Sequence, residues 1–254
     1  MKQAMIFAAG LGTRLKPLTD TMPKALVRVG KEPLLKLVVL KLKNAGFERI
    51  VVNVHHFADQ IEEYLAANQN FGVDVRISDE RKKLLETGGG IRKAADMFET
   101  TSPILIHNVD ILSNVDLADC YAKADDADAT LLVSERETSR YLLFNETTMR
   151  MEGWTNISTG EVKSPYEMYT KMAPLTHMPD GLRKYAFSGI HIFHPAIFPL
   201  MNNYPEKFGI MDFYIQNCKT ARIKGLVMPD LHLLDVGKQN TLESAERFLK
   251  DNPI

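Results

Sequence analysis

Cysteine is scarce in this chain: two in 254 residues, Cys120 and Cys218. That number excludes a disulfide framework, and their separation excludes a zinc-site spacing. A reducing compartment suits such a chain. Long hydrophobic runs are missing too. The most apolar stretch, residues 34–42, is broken by Lys36 and Lys41, far short of the roughly 18–20 apolar residues that span a bilayer. Residues 1–10 mimic an export signal only superficially, because their apolar core is short and a Gly/Arg/Lys loop follows at once. The expectation is a cytoplasmic protein with no membrane attachment. Nor is there a surplus of one charge: 31 Lys and Arg stand against 32 Asp and Glu, which argues against a nucleic-acid partner. Repeats, low-complexity tracts and flexible linkers are all lacking, so one domain is the economical reading of 1–254. Nothing in the sequence opposes a homo-oligomer.

What is present is an apolar and polar alternation typical of a folded α/β chain. Residues 4–9 form a short apolar run stopped by Gly10 and Gly12, the pattern of a buried strand. Residues 10–33 are rich in Gly, Pro, Thr and Lys, read as one long loop, and loops of that length in compact domains are usually functional. Strands are then expected at 49–54, 73–78, 103–108 and 129–134. Helices are expected at 34–45, at 58–67, from Gly88 to about 98, and at 117–124. This order predicts a Rossmann-like mixed, mainly parallel sheet with helices on both faces. Beyond residue 135 the pattern changes to an elaborated C-terminal half. It has a hairpin over 141–144 and 150–154, a polar and weakly periodic stretch at 155–184, and strands at 185–193, 222–228 and 232–236. Short helices are read at 196–201 and 211–218, and an amphipathic one at 241–249.

The chemistry concentrates in the first loop, Gly10-Leu11-Gly12-Thr13-Arg14, followed by Pro23-Lys24. Glycines directly after a buried strand let backbone amides approach a polyphosphate, and Arg14 and Lys24 add positive charge for phosphate oxygens. A dinucleotide fingerprint is excluded, because Leu15 stands where its third glycine belongs. A Walker A loop is excluded because Leu15-Lys16-Pro17 replaces its Gly-Lys-Ser/Thr. Asn108-Val109-Asp110 ends a buried strand, at the edge where open α/β sheets bind ligands. A lone carboxylate there suits Mg²⁺, which takes one or two carboxylates plus substrate phosphates. Leu233-Leu234-Asp235-Val236-Gly237 puts a second carboxylate in the same setting. Glu86-Thr87-Gly88-Gly89-Gly90 brings backbone close to a ligand at a helix start. No Gly-x-Ser-x-Gly elbow or cysteine constellation supplies a nucleophile. The tandem His55-His56 has no third ligand in reach.

Taken in order, these motifs resemble the sugar-1-phosphate nucleotidyltransferase family: the first loop with Pro23-Lys24, Glu86-Thr87-Gly88-Gly89, Asn108-Val109-Asp110, Phe187-Ser188-Gly189-Ile190 and Asp235-Val236-Gly237. The compact length and the Leu-Glu-Thr-Gly-Gly-Gly string are most similar to the branch that transfers uridylyl to N-acetylmuramate 1-phosphate, with the mannose-1-phosphate guanylyltransferases close behind. The resemblance implies an enzyme that takes an NTP and a sugar 1-phosphate and releases NDP-sugar and pyrophosphate, with Mg²⁺ as cofactor. It implies a nucleotide-binding half over 1–135 and a sugar-binding half over 136–254. By position, Gly10, Leu11, Gly12 and Thr13 would wrap the triphosphate, with Arg14 and Lys24 catalytic. Glu86, Thr87, Gly88 and Asn108 would hold the nucleotide, Gly189 would pass close to the sugar, and Asp110 and Asp235 would hold the metal. The sequence departs from the family twice. Val109 replaces a usual glycine, so its side chain either points away from the ligand or narrows the pocket. A Lys-Pro motif is missing after Ser134-Glu135, where Arg136 or Arg140 would substitute for the sugar-phosphate contact. A catalytically silent nucleotide-sugar-binding regulator is the competing reading, and should lack Lys24 or a metal carboxylate; none is missing.

Overall fold

A strand with apolar side chains on both faces needs cover on both. In β1 (Gln3–Phe7), Ala4 and Ile6 enter one core cluster and Met5 enters the other. The computed structural model describes residues 1–124, 127–175 and 177–252. After β1 come three short 3-10 turns and a small hairpin, β2 (Arg28–Val29) with β3 (Glu32–Pro33). There follow α1 (Leu34–Asn44), β4 (Arg49–Val54), α2 (Ala58–Ala67), β5 (Asp74–Asp79), α3 (Glu86–Lys93), β6 (Ile104–Asn108), β7 (Ile111–Ser113), α4 (Leu117–Lys123) and β8 (Ala129–Ser134). The second half holds β9 (Arg140–Asn145), β10 (Met151–Asn156), β11 (Glu161–Lys163), α5 (Glu167–Lys171), β12 (Leu182–Phe193), α6 (Phe198–Met201), α7 (Ile210–Asn217), β13 (Ile223–Val227), β14 (Leu233–Asp235) and α8 (Leu242–Asp251).

One ten-stranded sheet runs through both halves in the order β11-β10-β9-β12-β6-β1-β4-β5, with β8 between β12 and β13. β1 pairs in parallel with β4 and β6, and β4 with β5. The long strand β12 joins the halves: its first residues pair antiparallel with β9, its last with β6 and β8. Helices cover both faces, as expected. Residues of α1, α2, α4 and α8 pack in one cluster, and residues of α3, α6 and α7 in the other. Both cysteines are buried free thiols, with pKa values pushed up by burial to about 11 for Cys120 and about 12 for Cys218. Among the described residues no helix is long and apolar enough to cross a membrane.

Three expectations need correction. The 10–33 stretch is not one irregular loop: hydrogen bonds such as Leu15 N to Gly12 O (2.8 Å) and Leu26 N to Pro23 O (2.9 Å) close it into turns, and β2 and β3 pair. The 155–184 stretch is largely built. β10 extends to Asn156, β11 and α5 follow, and β12 begins at Leu182. Tyr169 packs there with Leu143 and Leu182 in a small core of its own; Thr176 lies outside the described residues. Helix α3 opens at Glu86, not at Gly88.

Burial of polar groups gives this core a pH signature. His191 on β12 is 1% exposed, and its Nδ1 shares a 2.8 Å hydrogen bond with the buried Tyr214 hydroxyl. Burial lowers its pKa from 6.5 to about 3. The unfolded chain therefore binds a proton that the folded chain refuses between those values. The stability is fully present above about pH 6.5 and is lost as pH falls through that window. The unfolding midpoint should be lower at pH 5 than at pH 7.5, and His191→Gln, which cannot titrate, should narrow that gap. Thermal denaturation of both chains at the two pH values checks this; an unchanged gap would move the effect to another group.

Candidate active site

Parallel strands that end together leave a crevice at their carboxyl edge. Here Phe7 ends β1 and Ala8 to Gly10 follow it, Asn53 is the last residue but one of β4, Glu80 follows β5, and Asn108 ends β6 with Val109 and Asp110 after it. These segments, with Lys24, Leu84, Glu86 and Thr87, line a cavity of about 240 Å³. Gly10, Lys24, Glu86, Thr87, Asn108 and Asp110 were all expected at a site from sequence, and the fold gathers them in this one place.

The first loop turns tightly beside the cavity. Gly12 adopts φ +64, a left-handed conformation that L side chains rarely take. The Thr19 methyl fills the place of a Cβ there, 2.8 Å from it, and the Thr19 hydroxyl donates to Gly12 O at 2.8 Å. Leu11, Thr13 and Arg14 stay exposed on the loop.

Two ion pairs join the expected cations to the expected carboxylates. Lys24 Nζ bonds Asp110 Oδ2, with both side chains largely buried at 12% and 14% exposure. Arg14 Nη2 stands 3.9 Å from Asp235 Oδ2 in a more open setting. Short strands β7 and β14 bring the backbones of Asp110 and Asp235 together across 125 residues of chain: Asp235 pairs in register with Ile111, and Val236 N donates to Asp110 O at 2.8 Å. The donors are hard oxygens. No group of three or more His, Cys, Asp or Glu able to hold a metal occurs among the described residues. Two carboxylates without a protein cage fit a magnesium ion that completes its shell with phosphate and water. Val109 is 3% exposed and packs in the core cluster, and it is also among the residues lining the cavity.

Two expected contacts are placed differently. Gly88 does not line this cavity. A Cβ there would overlap the Phe208 ring, and the Gly88 and Gly89 amides donate to Phe208 O at 2.9 and 3.1 Å. These glycines dock α3 against the 205–209 segment. Arg140 is exposed at the amino end of β9, beside the part of β12 that leads to Gly189. Arg136 is nearer: its Nη2 donates to Phe187 O at 3.0 Å. Gly189 itself sits across from the end of β6, where a Cβ would lie 2.9 Å from Asn108 Nδ2.

Sequence reading missed Phe7, Leu84 and Glu80 as wall residues. Glu80 had a signal, a carboxylate at the carboxyl end of a parallel strand, the same signal that pointed to Asp110. Asn53 bridges: its Oδ1 accepts from Ala8 N (2.8 Å) and Ala9 N (3.2 Å). Glu86 has φ +61 and lies 3.4 Å from Lys207. The Thr87 hydroxyl accepts from Ile210 N at 2.9 Å. His55 is a strand-end histidine, its Nδ1 2.7 Å from Glu80 O.

Fold and site together define a Rossmann-like α/β protein with a paired-charge cleft at its strand ends. The chain belongs to the nucleotidyl transferase family, which residues 3–252 match. It is 47% identical over 111 residues to an N-acetylmuramate alpha-1-phosphate uridylyltransferase of Caulobacter vibrioides, covering 43% of this chain and 46% of that one. Over 144 residues it is 33% identical to a mannose-1-phosphate guanyltransferase of Neurospora crassa, covering 55% of this chain and 39% of that one. The aligned stretches thus span about half the length, or less, of these curated relatives. In fold it is similar to a putative glucose-1-phosphate thymidylyltransferase of Bacillus anthracis, with a TM-score of 0.79 and 19% identity over 100% of this chain and 97% of that one.

Two stability experiments test the site's construction. Lys24→Ala leaves the largely buried Asp110 carboxylate without its partner, and Asp110→Asn does the reverse. Each should lower the melting temperature, while the double variant should lose less than the sum. Additive losses would show that the pair is not coupled. Gly88→Ala should destabilise by about 1–3 kcal/mol through overpacking, and Phe208→Ala in the same chain should relieve the overlap, as urea unfolding of the variants would show.

Proposed function

We propose that this protein transfers a nucleotidyl group from an NTP to a sugar 1-phosphate, releasing pyrophosphate. The observation that carries the reading is the cleft in which Lys24 and Asp110 face Gly10, Glu86, Thr87 and Asn108, with Asp235 and Arg14 beside them. Those groups suit a reaction that depends on positioning and charge neutralisation. An oxygen of the sugar phosphate attacks the α-phosphorus as the bond to the bridging oxygen breaks, and the electron pair leaves on pyrophosphate. In this reading the attack is direct, with no covalent intermediate on the chain. Lys24 and Arg14 stabilise charge on the departing phosphates, and the loop from Gly10 to Thr13 orients them. Glu86 and Thr87 border the nucleoside. Asp110 and Asp235 would hold magnesium, which supplies further neutralisation of phosphate charge when bound. Residues 1–135 hold the nucleotide in this reading. Residues 136–254 hold the sugar along Gly189, with Arg136 or Arg140 toward its phosphate, and contribute Asp235.

UTP with an amino-sugar 1-phosphate such as N-acetylmuramate 1-phosphate is the favoured substrate pair, supported by the 47% and 40% identities to uridylyltransferases of that type. The alternative is GTP with a mannose- or heptose-type 1-phosphate, supported by the guanyltransferase similarity over 144 residues. Pyrophosphate release with Mg²⁺, each NTP and a panel of sugar 1-phosphates tests both. The expected result is turnover with kcat/KM highest for UTP; a preference for GTP would favour the alternative. Lys24→Ala should lower kcat/KM by about 10²-fold or more, the scale of one preorganised donor, and Asp110→Asn should abolish turnover. Near-normal activity in Asp110→Asn would overturn the mechanism.

A further inference from the structure

Glu80 is a carboxylate buried to 1% exposure in the wall of the cleft, and none of the ion pairs among the described residues involves it. A charge so placed is costly unless hydrogen bonds compensate it. Two do. Oε1 accepts from Asn53 Nδ2 at 2.8 Å, and Oε2 accepts from Leu85 N at 3.0 Å. Asn53 in turn accepts through Oδ1 from the amides of Ala8 and Ala9, which lead into Gly10. Leu85 leads into Glu86 and Thr87. The chain Ala8/Ala9–Asn53–Glu80–Leu85 therefore ties the backbone entering the phosphate loop to the backbone entering α3, beneath the cleft that both line. Gly90 makes room for it: a Cβ there would lie 2.8 Å from Glu80 Oε1 and 3.2 Å from Asn53 Nδ2.

We propose that Glu80 is a positioning residue for the nucleotide, holding the phosphate-side and nucleoside-side loops in one register through Asn53 and Leu85. The role needs a carboxylate. Asn53 Oδ1 is committed to two amides, so Nδ2 must donate, and Leu85 N must donate too. Only a group that accepts on both oxygens satisfies both. Glutamine keeps the shape but sets its NH₂ against one of those donors, leaving a buried hydrogen bond unmade. The same logic defines a repair. With Asn53→Asp beside Glu80→Gln, the carboxylate introduced on β4 would accept from Ala8 N, Ala9 N and the new side-chain amide, whose oxygen would still accept from Leu85 N. The charge and the number of hydrogen bonds are conserved, with one donor reversed.

The inference rests on the nucleotide-binding reading above, which wild-type turnover decides separately. The test measures Kd for UTP and for GTP with Mg²⁺ by calorimetry, KM for the sugar phosphate where turnover is found, and the melting temperature. Glu80→Gln should weaken the preferred nucleotide about tenfold or more, the scale of one lost buried hydrogen bond, with sugar-phosphate KM changed less than about twofold. The Asn53→Asp/Glu80→Gln swap should return nucleotide affinity to within about threefold of wild type. Gly90→Ala, which presses on the same two side chains, should weaken the nucleotide without shifting sugar-phosphate KM, and serves if Glu80→Gln does not fold. A lowered melting temperature with nucleotide Kd unchanged would assign Glu80 a structural role and overturn the proposal. So would a swap no better than the single variant, or a loss shared equally by nucleotide and sugar phosphate.

Discussion

The carboxyl ends of β1, β4, β5 and β6 open on one edge of the sheet, and the walls of the cleft are built from the segments that leave that edge. Parallel pairing imposes this constraint. Strands that run the same way end on the same side, and their last residues point loops at a common crevice. Gln3 to Phe7 pairs residue by residue with Arg49 to Asn53 on one side and Ile104 to Asn108 on the other. A slip of one residue in either ladder would turn Asn53 or Asn108 to the opposite face. Apolar alternation between the two core clusters holds that register, so the packing of Ile6, Val52 and Leu105 under one face and Met5, Val51 and Ile106 under the other is what places the polar ends.

From that edge the protein builds outward by borrowing backbone. Loop amides are tied down by side chains rather than by more strand: Asn53 for Ala8 and Ala9, Thr87 for Ile210, Glu80 for Leu85. Most of these bonds cross between elements far apart in sequence, so the cleft is stiffened without being filled. Charge is handled in the same economical way. Lys24 with Asp110 and Arg14 with Asp235 leave each cation beside a carboxylate, which lowers the cost of gathering four charges in a small volume.

Much of this was legible from residue order. The strand and helix alternation, the sheet covered on both faces, and the hairpin of β9 and β10 follow from local periodicity, and local periodicity is what a sequence carries most directly. The first loop was legible because Gly12 needs a conformation that few residues take. Less legible were features whose cause is distant. Gly88 and Gly89 read as ligand-facing glycines because close approach of backbone to a ligand and close approach to Phe208 demand the same absent Cβ. Residues 155–184 read as a polar stretch because their few apolar side chains, Val162, Tyr166, Tyr169, Leu175, Met178 and Leu182, are spaced without a period and come together only when packed with Leu143 of β9.

By itself the sequence determined which residue types were available for chemistry and where chain direction would place them: Gly10 after one buried strand, Asp110 after another, Asp235 in a third such setting. Periodicity and glycine placement act over a few residues, so they survive without any knowledge of neighbours. Only the tertiary structure decided which of them meet. The pairing of β7 with β14 sets the backbones of Asp110 and Asp235 side by side, and the depth of the crevice turns Glu80 from an ordinary loop carboxylate into a buried one bonded to Asn53 and Leu85. Those outcomes depend on register and packing among segments up to 125 residues apart in the numbering of the chain, and such contacts leave no local pattern to read.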